Sequence, residues 1–276
     1  MKAILMGLLA ETFLHPGSGD SAGAVDLPVA REKHTGYPVI FGSSLKGALR
    51  EVVEAAEGKS EADAIFGKPE EAGSVSVTDA RLILLPVRSL ASHFRWVTCP
   101  YLLERYQRDC ELAGSSVNID IPKVEDGTAA GTKEQEGMIF LEELSFLVSK
   151  KEDLGEIAKG LGHLIRHKEA KDRLRESLLV ISDGEFAHFA ANGLAVNARN
   201  VLDDATKTSK NLWYEETIPP DAVFYSLLFS PGGRDAVAEK LQHLLRERPY
   251  LRVGGNETVG QGWCTVALNQ GGKYGE

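Results

Sequence analysis

Residues 43–58 have the sequence SSLKGALREVVEAAEG, in which apolar side chains recur every three or four positions. This spacing predicts an amphipathic helix that is capped by Ser43 or Ser44 and ends at Gly58. The helix therefore has a core face and a partly basic face. On an ideal helix these two faces are Leu45, Ala48, Leu49, Val52 and Ala56 on one side, and Ser43, Lys46, Arg50 and Glu54 on the other.

The segments before this helix are a predicted strand and a long polar stretch. Residues 2–14 are mostly apolar and indicate the strand, and residues 15–38 are rich in glycine and polar side chains. A loop of that length inside a compact domain is usually functional or disordered. The C-terminal end repeats the arrangement, with a predicted helix at 234–248, a strand at 250–253, a glycine-rich turn and a last strand from Trp263.

The central part of the chain adds strands at 74–88, 138–148 and 222–230, helices at 96–112 and 154–178, and a long hairpin around 197–219. Residues 123–137 are almost free of apolar side chains and indicate an exposed loop or mobile insertion. This order predicts an α+β fold, namely a ferredoxin-like or RRM-like sheet with its helices on one face. We expect a single domain over residues 1–276, with inserted loop and helical regions at about 58–73 and 114–137.

The composition limits the possible partners and compartment. The net charge is −9, from 31 Lys and Arg against 40 Asp and Glu, so that any RNA binding must be local rather than a general coating. Three cysteines without a C-x-x-C pair indicate neither a disulfide framework nor a thiolate zinc site. Neither a secretory signal nor a membrane-spanning stretch is predicted. We expect no membrane contact and a cytoplasmic location.

Three familiar chemistries find little support. His163 and His167 are four residues apart on a predicted helix and could present two imidazoles to a metal ion. Because the glutamate of H-E-x-x-H is missing, a solvated helix face is a stronger interpretation than a metal site. The stretch GNETVGQG, residues 255–262, has glutamine and glycine where a P-loop needs lysine and a hydroxyl, which argues against NTP hydrolysis. Ser43, Ser44 and the three cysteines lack any spacing that would mark a nucleophile, so that acyl transfer is not indicated.

Asp26 is the strongest candidate for catalysis. It follows Val25 and precedes Leu27 and a proline in the polar loop. A carboxylate there could form a turn, bind a divalent cation or accept a proton from a ribose 2′-hydroxyl. His15 and His34 lie in the same loop and could assist as acid or base, although neither spacing is diagnostic.

Two further segments could bind a nucleic-acid backbone. Lys46 and Arg50 near a serine-capped helix N-terminus could hold a phosphate, although the pattern alone favours a solvated charged face. The C-terminal turn could let a backbone approach closely, or could simply be a tight turn. Its candidate glycines are Gly254, Gly255, Gly260 and Gly262.

Several stretches together resemble the RAMP superfamily, and within it the fourth-subunit family of the Cmr complexes of type III-B CRISPR systems. They are HPGSGDSAGAVDLPVAREKHTGYPVIFGSSLKGALRE (15–51), VTDARLILLPVRSLASHFRWVTCPYLLER (77–105), LWYEETIPPDAVFY (212–225) and GGNETVGQGW (254–263). The most specific elements are the V-D-x-P-x-x-R block joined to D-A-R-L-x-x-L-P-V-R-S. The likeness covers nearly the whole chain in the same order.

The resemblance implies an RRM-like palm, a thumb hairpin at about 196–217 and copies that stack head to tail along a guide crRNA. It places the catalytic aspartate at Asp26 and guide contacts at Ser43, Ser44 and Lys46. Since the hairpin carries Asp203 and Asp204, Val201 or Leu202 must supply the apolar contact of the thumb. The implied activity is a metal-dependent endoribonuclease that cuts complementary single-stranded target RNA, with Mg²⁺ or another divalent cation bound by Asp26 and with other Cmr subunits as partners.

Three alternatives stay open. The chain could be a RAMP backbone subunit that holds crRNA without cutting, or a stand-alone RAMP endonuclease that processes precursor crRNA. A lone processing enzyme would be expected to use a histidine and to work without partners. The third alternative, an RRM-like RNA-binding module outside CRISPR systems, lacks the aromatic R-G-F-x-F signature.

Overall fold

The computed structural model describes residues 2–19, 23–115, 117, 119–132, 136–150, 154–230 and 235–270. The chain folds into a mixed α/β structure with a large sheet. Its strands are β1 Lys2–Ala10, β2 Val39–Ile40, β3 Gly67–Lys68, β4 Glu71–Ala72, β5 Ser76–Val77, β6 Ala80–Ser89, β7 Ser92–Thr98, β8 Thr128–Gly131, β9 Gly137–Leu141, β10 Leu144–Lys150, β11 Leu178–Ile181, β12 Ala195–Leu202, β13 Ser209–Thr217, β14 Val223–Ser230, β15 Tyr250–Arg252 and β16 Trp263–Gln270. Its helices are α1 Gly42–Glu57, α2 Lys59–Phe66, α3 Pro100–Leu112, α4 Leu154–Gly162, α5 Lys168–Ser177, α6 Asp183–Asn192 and α7 Asp235–Glu247. Within the described ranges, none of these helices has the length and apolar character needed to cross a membrane.

The main sheet has the strand order β15–β16–β1–β14–β6–β7–β11–β8–β10–β9. Its pairs are antiparallel except β7 with β11 and β8 with β10, which are parallel. A single pairing of Ser89 with Leu141 brings β9 back to β6. The second half of the sheet therefore curls round on itself, whereas the first half is open.

Strand β1 lies in the middle of the open half, between β14 and β16. Its apolar side chains are almost completely buried, as the apolar run in the sequence predicts. A side chain at Gly7 would clash with the backbone of Leu164, because the segment between α4 and α5 crosses the strand at this point. The absence of a side chain at Gly7 therefore permits this close approach.

Helix α1 buries Leu45, Leu49 and Val53 against the sheet, and Gly58 ends it as predicted. The predicted serine cap is wrong. The helix begins at Gly42, with Phe41 at the N-cap position, and no side-chain cap bond is formed there. Instead, the carboxylate of Asp79 accepts a hydrogen bond from the amide of Gly42 at 2.7 Å. The first free amide is therefore satisfied by a residue distant in sequence.

Three other element predictions need correction. The predicted helix at 154–178 is two helices, since α4 ends at Gly162 and α5 begins at Lys168. Residues 96–98 belong to β7 rather than to the following helix, which begins at Pro100 as its fixed φ favours. The segment predicted as an exposed loop contains β8, whose alanines are buried. Its small side chains allow β8 to pack between two neighbours, which a hydrophobicity pattern does not reveal.

The hairpin of β12 and β13 forms its own two-stranded sheet. Most of its residues are exposed, and burial begins only at Glu215 near its base. Its turn is built by Asp203, whose Oδ1 accepts hydrogen bonds from the amides of Ala205 and Thr206, both at 2.9 Å. Lys210 forms an ion pair with the other carboxylate oxygen at 2.8 Å. Asp203 thus shapes the tip of the hairpin.

Candidate functional site

The loop that carries Asp26 runs alongside the base of the hairpin. The amide of Leu27 donates to the carbonyl of Tyr214 at 3.0 Å, and the amide of Glu216 donates to the carbonyl of Leu27 at 3.0 Å. Between these bonds, Oδ2 of Asp26 accepts a hydrogen bond from the amide of Tyr214 at 2.8 Å. Asp26 itself is exposed. The hairpin therefore fixes one carboxylate oxygen of Asp26 and leaves the other open to solvent.

Glu216 anchors this loop from beneath. Its buried carboxylate accepts a hydrogen bond from the amide of Val29 at 3.0 Å and pairs with Arg31 at 2.6 Å. Arg31 also donates to the carbonyls of Gly36 and Ala190, at 2.8 and 2.7 Å. A charge-assisted network of this kind rigidifies the backbone that it spans. No local sequence pattern marks Glu216, because its partners Val29 and Arg31 lie 187 and 185 residues away in the chain.

His15 is buried against the same strand. Its Nδ1 lies 2.8 Å from the carbonyl oxygen of Glu216, and because a carbonyl can only accept, Nδ1 carries the hydrogen. His15 and Asp26 are thus both held by backbone groups of β13. The second histidine candidate lies elsewhere, since His34 is exposed and lies 3.9 Å from Glu32. Glu32 belongs to a separate buried ion pair with Arg105.

The glycine-rich turn packs on the other side of His15. The amide of Gly255 donates to the carbonyl of His15 at 2.9 Å, and the amide of Gly262 donates to that of Phe13 at 2.9 Å. Gly254 has φ +90°, and a Cβ there would lie 2.6 Å from the carbonyl oxygen of His15. The close approach of His15 therefore explains why position 254 has no side chain. Gly260 has open space around it, and its φ of +80° is that of a residue in a tight turn. RNA contact by the four glycines stays a prediction.

A buried carboxylate links the glycine-rich turn to the hairpin. Glu215 is 1% exposed and forms an ion pair with Arg199 of β12. Its other oxygen accepts a hydrogen bond from the side-chain amide of Asn256, which also donates to Gln261 at 3.0 Å. Glu215 thus connects the hairpin to the glycine-rich turn, and the adjacent Glu216 connects the hairpin to the Asp26 loop.

The predicted phosphate-binding face lies at the first turns of α1. Ser43, Ser44 and Lys46 are exposed there. Lys46, Arg50 and Lys68 line an open groove of about 640 Å³ between α1 and the turn of β3 and β4. Arg50 already pairs with Asp63 and donates to the carbonyl of Gly67 at 2.7 Å, so that its charge is largely balanced within the chain. Lys46 is therefore the better candidate for a phosphate ligand of the two.

The apolar residues predicted for the thumb lie at the surface. Val201 is 46% and Leu202 is 50% exposed, and Leu212 and Tyr214 on the facing strand are 54% and 45% exposed. Leu212 and Tyr214 were not among the predicted thumb residues, although they lie two positions apart on β13 and so point to the same face. The hairpin thus presents an apolar surface on both of its strands.

The residues near Asp26 can contribute little to a protein-built metal cage. Within the described part of the chain, no three His, Cys, Asp or Glu residues converge as a metal site would require. The one free carboxylate oxygen of Asp26 fits a cation held mainly by phosphate oxygens and water. His163 and His167, weighed as a metal pair in the sequence, are not on a common helix. His163 follows α4, whereas His167 precedes α5 and lies 2.9 Å from a carboxylate oxygen of Glu11.

The chain is similar to several proteins of known class. The sequence model of the RAMP superfamily matches residues 8–265. The CRISPR system Cmr endoribonuclease Cmr4 of Pyrococcus furiosus is 38% identical, and the match covers 99% of each chain. A crystal structure of oligomeric Cmr4 from Pyrococcus furiosus has a TM-score of 0.80 at 34% identity, with 98% of each chain covered. A cryo-EM structure of the type III-B Cmr-beta complex bound to cognate target RNA contains a chain of the same fold, with a TM-score of 0.80 at 23% identity and 97% of each chain covered.

Proposed function

Because this chain belongs to the RAMP superfamily and aligns along its whole length with Cmr4, we propose that it is a repeated backbone subunit of a type III-B Cmr effector complex. In this role it binds guide crRNA and cuts complementary single-stranded target RNA at regular intervals. The observation that supports cutting most directly is the position of Asp26, whose exposed carboxylate is fixed at the base of the hairpin by the amide of Tyr214.

The open half of the sheet serves as the palm. Its strands β16, β1, β14 and β6 are neighbours in this order, and helices α1 and α7 follow β1 and β14 in the chain. That order corresponds to a β-α-β-β-α-β unit of the ferredoxin-like type, which supports the palm assignment. The segment between β6 and β14 contains the curled half of the sheet and the hairpin, which we assign as the thumb.

The cutting step uses the 2′-hydroxyl of the target as nucleophile. Among the described residues the three cysteines are buried, and Asp26 is a poor nucleophile toward phosphate. The role of Asp26 is to accept the proton of that hydroxyl or to bind a divalent cation such as Mg²⁺. Such a cation would neutralise the charge that develops on the phosphate. The exposed apolar face of the hairpin displaces a target base, which brings the scissile phosphate into line with the 2′-hydroxyl.

The guide lies on the exposed end of α1. Lys46 supplies the cation and Ser43 and Ser44 supply hydroxyl donors beside the helix N-terminus, where the dipole favours an anion. Base pairing supplies the sequence specificity, so the protein needs only backbone contacts. Copies that associate head to tail form an open filament along the guide.

The experiment that tests this function is a reconstitution with partner subunits and one defined guide. We expect several copies of the chain in each particle by native mass spectrometry, and target fragments that differ by a constant length. Repeated copies without any cutting would support the non-catalytic backbone instead. Processing of precursor guide RNA by the isolated chain would support the stand-alone endonuclease.

A further inference from the structure

A cleft of about 250 Å³ lies between α1 and the edge of the sheet formed by β15 and β16. Its floor is made by small side chains of α1, among them Ala48, Val52 and Ala55. Its walls are Tyr250 and Trp263, which are 48% and 39% exposed. The cleft belongs to neither the Asp26 loop nor the hairpin.

The strand register explains why two aromatic rings share this cleft. Arg252 pairs with Trp263 across the two strands, and Tyr250 lies two residues before Arg252. Residues that pair directly, or that lie two apart on one strand, point to the same face of a sheet. The ion pair of Arg252 with Glu51 at 3.2 Å shows that this face is turned toward α1.

Arg252 holds the indole of Trp263 in place. Its guanidinium carbon lies 5.8 Å from the centre of the Trp263 ring, within the range of a cation–π contact. The same guanidinium pairs with Glu51 and with Glu257, the latter at 2.8 Å. The two glutamates therefore balance the charge of Arg252. The Trp263 ring is held in one position and remains partly exposed to solvent.

Arg248 brings an unbalanced positive charge to the rim of the cleft. It is exposed at the end of α7, and no ion pair to it occurs among the residues that the structure describes. Two exposed rings, a narrow apolar floor and one free cation are the groups that bind a nucleotide of single-stranded RNA. An apolar protein segment would use the rings and the floor but would leave the cation without an anion.

We infer that this cleft binds one unpaired base of the bound RNA, stacked on Trp263 and Tyr250, with the adjoining phosphate at Arg248. The inference rests on the proposed function and adds to it an RNA contact site apart from Asp26 and Lys46. Stacking on aromatic rings tolerates all four bases, so the site needs no particular sequence.

Photo-crosslinking within the assembled complex tests the inference. Guide and target RNAs carry 4-thiouridine at one position at a time, and cross-linked peptides are identified by mass spectrometry after irradiation. At one or more regularly spaced positions we expect cross-links to Tyr250 or Trp263. Cross-links confined to the hairpin and the first turns of α1 would overturn the inference and leave the proposed function standing. Failure of the complex to retain any RNA would overturn the proposed function itself.

Binding measurements with the full-length chain and short single-stranded RNA give a second test. Trp263→Ala should weaken binding about tenfold, while Trp263→Phe, which keeps an aromatic surface, should restore most of the affinity. Arg248→Ala should reduce the slope of log affinity against log salt by about 0.7. Arg88→Ala is the matched control, because Arg88 is an exposed arginine outside the cleft and pairs with Glu142 at 2.9 Å. Wild-type binding by both Trp263→Ala and Arg248→Ala would refute the site, and a protein segment in the cleft would then be the better interpretation.

Discussion

The carboxylate of Asp26 and the backbone amide of Tyr214 are joined by a hydrogen bond of 2.8 Å, although 188 residues separate them in the chain. This bond makes the position of the candidate catalytic group dependent on the hairpin that we assign as the thumb. In the proposed function, the apolar hairpin and the Asp26 carboxylate would therefore reach the target RNA as one connected unit.

Asp26→Asn should abolish target cleavage while guide binding and assembly persist. The asparagine oxygen can still accept the hydrogen bond from Tyr214, but the charge needed by a cation or a proton is lost. The measurement is the single-turnover cleavage rate of the reconstituted complex. Asp120→Asn, at an exposed position, is the control and should cut at the wild-type rate. A cleavage rate of Asp26→Asn within a few-fold of wild type would contradict the assignment.

Lys46→Ala should weaken guide binding and reduce its dependence on salt. Loss of one phosphate contact lowers the slope of log affinity against log salt by about 0.7 for a single strand. The slope is measured by titrating guide RNA at several salt concentrations. Lys168→Ala removes an exposed lysine at the start of α5 and should leave the slope unchanged. If both variants behave alike, Lys46 is part of a solvated face.

A 2′-deoxy substitution at only the scissile nucleotide should stop cutting at that position. Pairing and insertion of the hairpin should persist, since they depend on bases and backbone. Products from normal RNA should end in a 2′,3′-cyclic phosphate and a 5′-hydroxyl, as end-group mass spectrometry can show. Cutting of the deoxy target at the normal rate would establish a water nucleophile and leave Asp26 as a cation ligand.

Glu216→Gln should destabilise the fold by about 1–3 kcal/mol. The carboxylate faces two donors, the amide of Val29 and the guanidinium of Arg31, whereas a glutamine has one acceptor oxygen and must turn its own NH₂ toward one of them. Urea unfolding measures the loss. Glu247→Gln, at an exposed position on α7, should change the stability by less than about 0.5 kcal/mol. Equal stability of the two variants would show that the anchor is dispensable.

The tip of the hairpin should keep its structure from neutral pH down to about pH 4 and lose it as the pH falls further. The ion pair with Lys210 and the two turn amides lower the pKa of Asp203 from 3.8 to about 2. A carboxyl whose pKa is lower in the folded state stabilises that state above its ordinary pKa, and the contribution is lost as the pH falls through the folded value. The amide NMR signals of Ala205 and Thr206 report the change. An Asp203→Asn variant should show no such transition, and a transition centred well above pH 4 would contradict the assignment.

Local patterns predicted the helices and strands well where their residues alternate in polarity. The buried Leu45, Ala48 and Leu49 of α1, its end at Gly58 and the hairpin around residues 197–219 follow from spacing and turn residues. Farther along α1, Val53 is buried and the predicted Val52 is only half-buried. The patterns failed where neighbours distant in sequence decide the outcome. Asp79 sets the start of α1, and the crossing over Gly7 accompanies the break between α4 and α5.

Local patterns also indicate only part of the candidate site, because the groups that position its residues are distant in sequence. Asp26 was selected as a candidate from its loop and from the family resemblance, and Lys46 from its place on α1; both roles stay predictions. The groups that hold the Asp26 loop were not selected, because Glu216 and Val29 are 187 residues apart and meet only in the folded chain. Likewise, the cleft at Trp263 exists only when β15 and β16 pair beside α1. Single-sequence patterns report which face of an element is apolar, but not which elements meet there.

The placement of β1 between β14 and β16 has a consequence for how the protein is made. During synthesis the apolar strand that ends at Ala10 leaves the ribosome long before its partners, which begin at Val223 and Trp263. Contacts so distant along the chain slow folding and leave apolar strands unpaired for a time, which exposes the nascent chain to aggregation. The open half of the sheet can be completed only after β16 has been translated. A chain that stops before β16 therefore leaves one edge of the apolar strand β1 unpaired, where it can associate with other chains.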